Sequence, residues 1–142
     1  MAAHYLPYPS MTKKLILVLG VILLAVGVLG FWNNPVLGLF AVDTLHNIVH
    51  IATGLIAIAF AMKGEASART FARIFGVIYA ITAIAGFTLS TDGKILGILT
   101  ADANDHILHL LLALVFLALG FRKNSSSAPI MTPPMGGSSL GM

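Results

Sequence analysis

Four apolar runs, about Leu15 to Trp32, Leu45 to Met62, Phe71 to Leu89 and His106 to Phe121, set the first limit on what this chain can fold into. Each approaches the roughly 20 residues that a helix needs to cross a ~30 Å hydrocarbon layer. A soluble domain carries roughly 25% charged residues, whereas this chain of 142 residues has 9% charged and 58% hydrophobic. The expected fold class is therefore an all-α, integral membrane four-helix bundle. It divides into an N-terminal cytoplasmic segment (1–12), a transmembrane domain (13–123) and a flexible cytoplasmic tail (124–142). The tail, "NSSSAPIMTPPMGGSSLGM", is uncharged and rich in Ser, Pro and Gly, a composition that does not build a packed core. The fourth run is short, so its first turn, with His106 and His109, is expected at the interface.

Lys13 and Lys14 precede the first run as in a signal peptide, but "VLGFWNNPV" has no small-x-small cleavage pattern, and the run reads as a retained span. Lys13, Lys14, Lys63, Arg69, Arg73, Arg122 and Lys123 flank one side of the spans and Lys94 alone the other. The positive-inside rule then predicts both termini and the middle loop on the cytoplasmic side. Asp43, Asp92, Asp102 and Asp105 fall in the outer loops or at outer helix ends. Those loops, "NNPVLGLFAVD" and "STDGKILGILTAD", are apolar enough to lie against the bundle or in the headgroup layer. The net charge of +3 accompanies no basic stripe with exposed aromatics, so nucleic acid is not an expected partner. The absence of cysteine removes thiolate metal sites, disulfides and cysteine nucleophiles.

The chain repeats internally. Gly20, Val21 and Ile22 recur as Gly76, Val77 and Ile78, and Gly30 and Phe31 as Gly86 and Phe87, at an offset of 56. Leu37, Gly38, Asp43, His50 and Leu55 recur as Leu96, Gly97, Asp102, His109 and Leu114 at an offset of 59. Two tandem hairpins, about 15–62 and 71–121, are thus predicted, with a pseudo-twofold axis along the membrane normal. Small residues let membrane helices approach closely. His46, His50, Gly54, Ala57 and Ala61 share one stripe of the second helix, His109, Ala113, Phe116 and Gly120 one of the fourth, and Gly76, Ala80 and Ala83 one of the third.

Polar chemistry gathers in "DTLHNIVH" and "DANDHILH". The first reading is structural: Asp43 and Asp102 serve as N-caps, Asp105 as the acidic partner of a capping box, and the histidines as hydrogen-bonding groups between helices. A second reading is a metal or tetrapyrrole site. In it His50 and His109, then His46 and His106, ligate a haem or a metal ion, with Asp102 and Asp105 as further ligands or hydrogen-bond partners. A third is a proton sensor, since imidazole titrates near neutrality. "HNIVH" lacks the Glu of a zinc-protease motif, and no phosphate loop or GxSxG is present.

With "VDTLHNIVHIATG" and "LTADANDHILHLLLAL" the chain resembles a family of small bacterial four-helix membrane proteins, domain of unknown function 4383. Leu45, His46, Asn47, His50 and Gly54 carry that family's second-helix motif, and Ala103, Asn104, Asp105 and His109 a looser form of its fourth-helix motif. The likeness runs from Lys13 to Arg122. Asp43 stands where the family often has Asn, and His106 is additional. The resemblance implies the four-helix fold and the importance of the His-bearing helix starts, and it implies no reaction. The function expected from the sequence is a non-catalytic structural or accessory subunit of a larger membrane complex. A His-ligated cofactor protein is the alternative, and a pH-responsive membrane protein ranks below it.

Overall fold

The computed structural model describes residues 11–122; the N-terminal segment up to residue 10 and the tail expected from 124 lie outside the described residues. Four helices follow one another: α1 (Met11–Leu29), α2 (Thr44–Met62), α3 (Glu65–Leu89) and α4 (Ala103–Phe121). All four are long and apolar enough to cross a membrane, which makes this a multi-pass membrane protein. At 1.5 Å per residue the 19-residue helices α1, α2 and α4 span about 28 Å, close to the hydrocarbon thickness.

The observed limits correct the expected ones in three places. Helix α1 begins at Met11 and ends before Phe31 and Trp32, which lie in a turn. Helix α3 starts at Glu65, because a charged first turn is no obstacle once Glu65 faces the helix dipole and pairs with Arg69 at 2.7 Å. Helix α4 is not short: it starts at Ala103, so His106 lies inside the first turns of a full-length span. A rule that counts apolar residues misses such polar first turns.

Packing is densest within consecutive pairs, α1 on α2 and α3 on α4. Glycines set the approach. A Cβ on Gly54 would fall 2.6 Å from the Leu24 nitrogen and 2.7 Å from the Gly20 oxygen, so these backbones touch. In the other pair a Cβ on Gly76 would fall 2.8 Å from Leu117 Cγ, and one on Gly120 2.7 Å from Arg73 Cγ. Ala113 is buried beside them and Ala80 packs against the core. Toward the α2–α3 link the core is aromatic: Phe71 stacks on Phe75 at 4.3 Å and meets Phe116 edge-on at 5.6 Å.

The two loops at the histidine end fold onto the bundle. The second forms a three-stranded antiparallel sheet of two-residue strands, β1 (Ser90–Thr91), β2 (Lys94–Ile95) and β3 (Leu99–Thr100). The first makes only a Val36–Phe40 bridge. Val36, Val42, Ile95 and Ala101 are buried beneath them. Leu37–Gly38 and Leu96–Gly97 occupy equivalent tight turns with φ of 53° and 72° in both loops, the positive-φ pair that a type I′ turn requires.

Candidate metal centre

Histidines reach the interior because each His-bearing helix is capped by an aspartate. The Asp43 carboxylate accepts the His46 backbone N–H at 2.8 Å and, from the other loop, the Thr100 backbone N–H at 2.8 Å. Asp102 accepts the N–H groups of Asn104 (2.8 Å) and Asp105 (3.1 Å), and across the loops that of Ala41 (3.3 Å). Asp105 returns the favour of the cap by accepting the Asp102 N–H at 2.9 Å, which closes a capping box. Asn104 Nδ2 donates to the Leu39 carbonyl at 2.9 Å. The two loops are thereby cross-tied over the start of both helices. Burial works against a charged Asp43, yet the N–H groups of His46 and Thr100 outweigh it and hold the carboxyl below its ordinary range.

Below the caps, His46, His50 and His109 converge. A ring nitrogen of each lies within 4.8 Å of those of the other two, and no carboxylate belongs to the group. The His46 and His50 rings meet edge-on at 4.6 Å, while His46 and His109 stack at 5.9 Å. None of the three is more than 6% exposed. His46 Nδ1 lies 2.7 Å from the Thr100 carbonyl oxygen. A carbonyl can only accept, so Nδ1 carries the proton and Nε2 offers a lone pair. That Nε2, together with Nδ1 of His50 and Nδ1 of His109, is buried without a hydrogen-bond partner. Buried polar atoms are nearly always satisfied, because leaving one unpaired costs about 1–3 kcal/mol. His106 Nδ1 and Asn47 Oδ1 are buried without a partner as well, so it is the convergence of His46, His50 and His109 that sets this group apart.

Of the residues singled out in the sequence, the structure brings together these three. His106 is also buried, but its ring lies against Gly86 and meets Phe87 edge-on at 5.5 Å, apart from the trio. Asp102 and Asp105 are taken up in the capping box. Two residues not singled out as ligands adjoin the site: the Tyr79 ring sits 5.3 Å from His109, and its hydroxyl bonds the buried Thr53 side chain. Thr53 lies one turn below His50 on the same stripe, a spacing visible in the sequence, whereas Tyr79 arrives from α3 by tertiary packing alone.

The geometry matches a donor set rather than a filled core. A tetrahedral ion with bonds of about 2.05 Å holds its ligands about 3.4 Å apart, so ring rotations of roughly an ångström close the trio on one ion. Its outer hydrogen bond, His46 to a backbone carbonyl, is the kind that orients metal-ligating imidazoles.

Residues 13–122 match the family described as Domain of unknown function (DUF4383). The chain belongs to that family. The match spans α2, α3, α4, both outer loops and all of α1 beyond its first two residues in this DUF4383 protein, including every residue of the trio. No curated protein and no solved structure gives a significant match.

Proposed function

We propose that this membrane protein holds a single transition-metal ion between α2 and α4 through His46, His50 and His109. The observation that carries the reading is the convergence of three buried imidazoles, a ring nitrogen of each lying within 4.8 Å of those of the other two. An all-imidazole set suits zinc, copper, iron or nickel and not the oxygen-seeking magnesium or calcium. Three protein ligands also leave a coordination position open, as in sites that do more than hold a fold together.

This reading ranks above the accessory-subunit role expected from the sequence, because Gly20, Gly54, Gly76 and Gly120 meet neighbouring helices of the same chain. Those small-residue faces are occupied within the bundle. The tetrapyrrole form is less well supported: the cavity beside the rings is about 80 Å³, against roughly 300 Å³ for the smallest ordinary cofactor pockets. The reading places the histidine end on the outer face of a bacterial inner membrane, on the charge bias of the loops, and assigns binding rather than turnover.

Metal analysis of the full chain purified in mild detergent tests it. Near one equivalent of a first-row transition ion is expected, retained in His106→Ala and lost in a His50→Ala, His109→Ala double variant. Equal metal content in wild type and double variant, or none after equilibrium loading, overturns the proposal.

A further inference from the structure

The three rings form one wall of the cavity of about 80 Å³, and the rest includes Val49, Thr53, Ile78, Tyr79 and Leu99. Roughly 10–15 Å³ is enough to admit one water-sized molecule, so this cavity has space for a small ligand beside the rings. Its location is asymmetric. Leu99 and Thr100 of β3 cover the rings at the loop end, with the Thr100 carbonyl fixed on His46. Val49 and Ile78, by contrast, line the cavity and are also 43% and 46% exposed on the outward surfaces of α2 and α3. Both lie within membrane-spanning segments. The mouth of the cavity therefore faces hydrocarbon, between α2 and α3.

We infer that the ion's open coordination position faces this cavity and takes a small neutral diatomic molecule, of the dioxygen or carbon monoxide class, that arrives from the bilayer. The inference rests on the metal reading above. Three features select this ligand class. The volume excludes anything of cofactor size. Among the described residues no charged side chain lines the cavity, so a charged ligand other than the ion's own counter-charge finds no partner there. An apolar mouth in the hydrocarbon admits neutral, lipid-soluble molecules and opposes anions and hydrated cations. The loop that shields the rings from water thus leaves the lipid side as the route of entry.

The full chain in lipid nanodiscs, loaded anaerobically with Cu(I) and exposed to carbon monoxide, gives a direct readout in the infrared C–O stretch and in rebinding after flash photolysis. One carbon monoxide per copper is expected. Narrowing the mouth with Ile78→Trp, or with Val49→Phe should the first variant fail to fold, is expected to slow rebinding by about tenfold, equivalent to roughly 1.4 kcal/mol of added barrier. Ile84→Trp, on the outward surface of α3 but outside the cavity lining, is expected to leave rebinding unchanged. Stoichiometric copper without a carbon monoxide band overturns the inference while sparing the metal reading. Unaltered rebinding in both mouth variants, or slowing in Ile84→Trp as large as in them, overturns the lipid route. Failure of the metal reading itself appears earlier, as a chain that retains no copper before any gas is added.

Discussion

The Asp43 carboxylate accepts the backbone N–H of Thr100 at 2.8 Å, joining residues 57 positions apart, and the same carboxylate caps α2 at His46. One side chain therefore fixes both the helix that carries two of the three histidines and the strand whose carbonyl sets the His46 tautomer. Asp43→Ala is expected to cost about 1–2 kcal/mol, the upper part of the range for a lost N-cap. Asp43→Asn, which keeps an acceptor for one of the two donors, is expected to cost less. Chemical unfolding in a fixed detergent compares them.

Acid should erase that difference. The folded-state pKa of Asp43 is depressed, because the N–H groups of His46 and Thr100, with the Thr100 side chain and the nearby His46, outweigh the burial that opposes ionisation. Its contribution is fully present above the unfolded value of about 3.9 and is lost as the pH falls through the lower folded value. The gap in melting temperature between wild type and Asp43→Asn is expected to hold steady at neutral pH and to narrow below about pH 4. A gap that persists in stronger acid would show that the carboxylate's charge contributes nothing.

Glycine substitutions should separate backbone contacts from side-chain contacts. A Cβ on Gly54 meets the Leu24 nitrogen and the Gly20 oxygen, neither of which can move aside. Gly54→Ala is expected to destabilise by about 1–3 kcal/mol, against the usual gain from replacing a mid-helix glycine. Gly76→Ala meets mainly the Leu117 side chain, which can change rotamer, and is expected to cost less. The order of the two melting temperatures is the test.

Two leucines occupy a backbone conformation that favours glycine or asparagine. Leu37 and Leu96 both have φ of 53°, and Leu96 is 63% exposed. Leu96→Asn is expected to stabilise by roughly 0.5–1 kcal/mol, since Asn tolerates this conformation better. A loss of stability in lipid but not in detergent would indicate that the Leu96 side chain makes membrane contacts worth more than the strain.

Metal should also stabilise the fold it binds. At a free-ion concentration of 100 Kd the gain is about 2.7 kcal/mol for one site. A rise in melting temperature with zinc or copper is expected in wild type and in His106→Ala, and not in His50→Ala.

The sequence carried the spans and much of the site, for physical reasons that also mark where it stopped. Hydrocarbon thickness fixes a helix length, so four apolar runs suffice to count the helices. His46 and His50, four residues apart, differ by about 40° around a helix of 3.6 residues per turn, and spacing alone puts both on one face. His106 precedes His109 by three residues, about 60° the other way, and that rotation turns it toward Gly86 and Phe87. Helix periodicity predicts the divergence in angle but not which flank meets which neighbour. Tyr79 is one aromatic among many in an apolar span, and only the packing of α3 on α4 reveals it beside His109. The two-residue strands pair through loop geometry, too brief for any alternating pattern to register.

The pairing of helices bears on how the molecule yields under force. Close packing at glycines joins α1 to α2 and α3 to α4, and the contacts between the two pairs are sparser. His46 and His50 belong to one pair and His109 to the other. The imidazole trio therefore bridges the two pairs like a strain gauge fixed across a joint. A change in lateral pressure or bilayer thickness that shears the two pairs is expected to alter the spacing of the rings first, because the contacts between the pairs are the sparser ones.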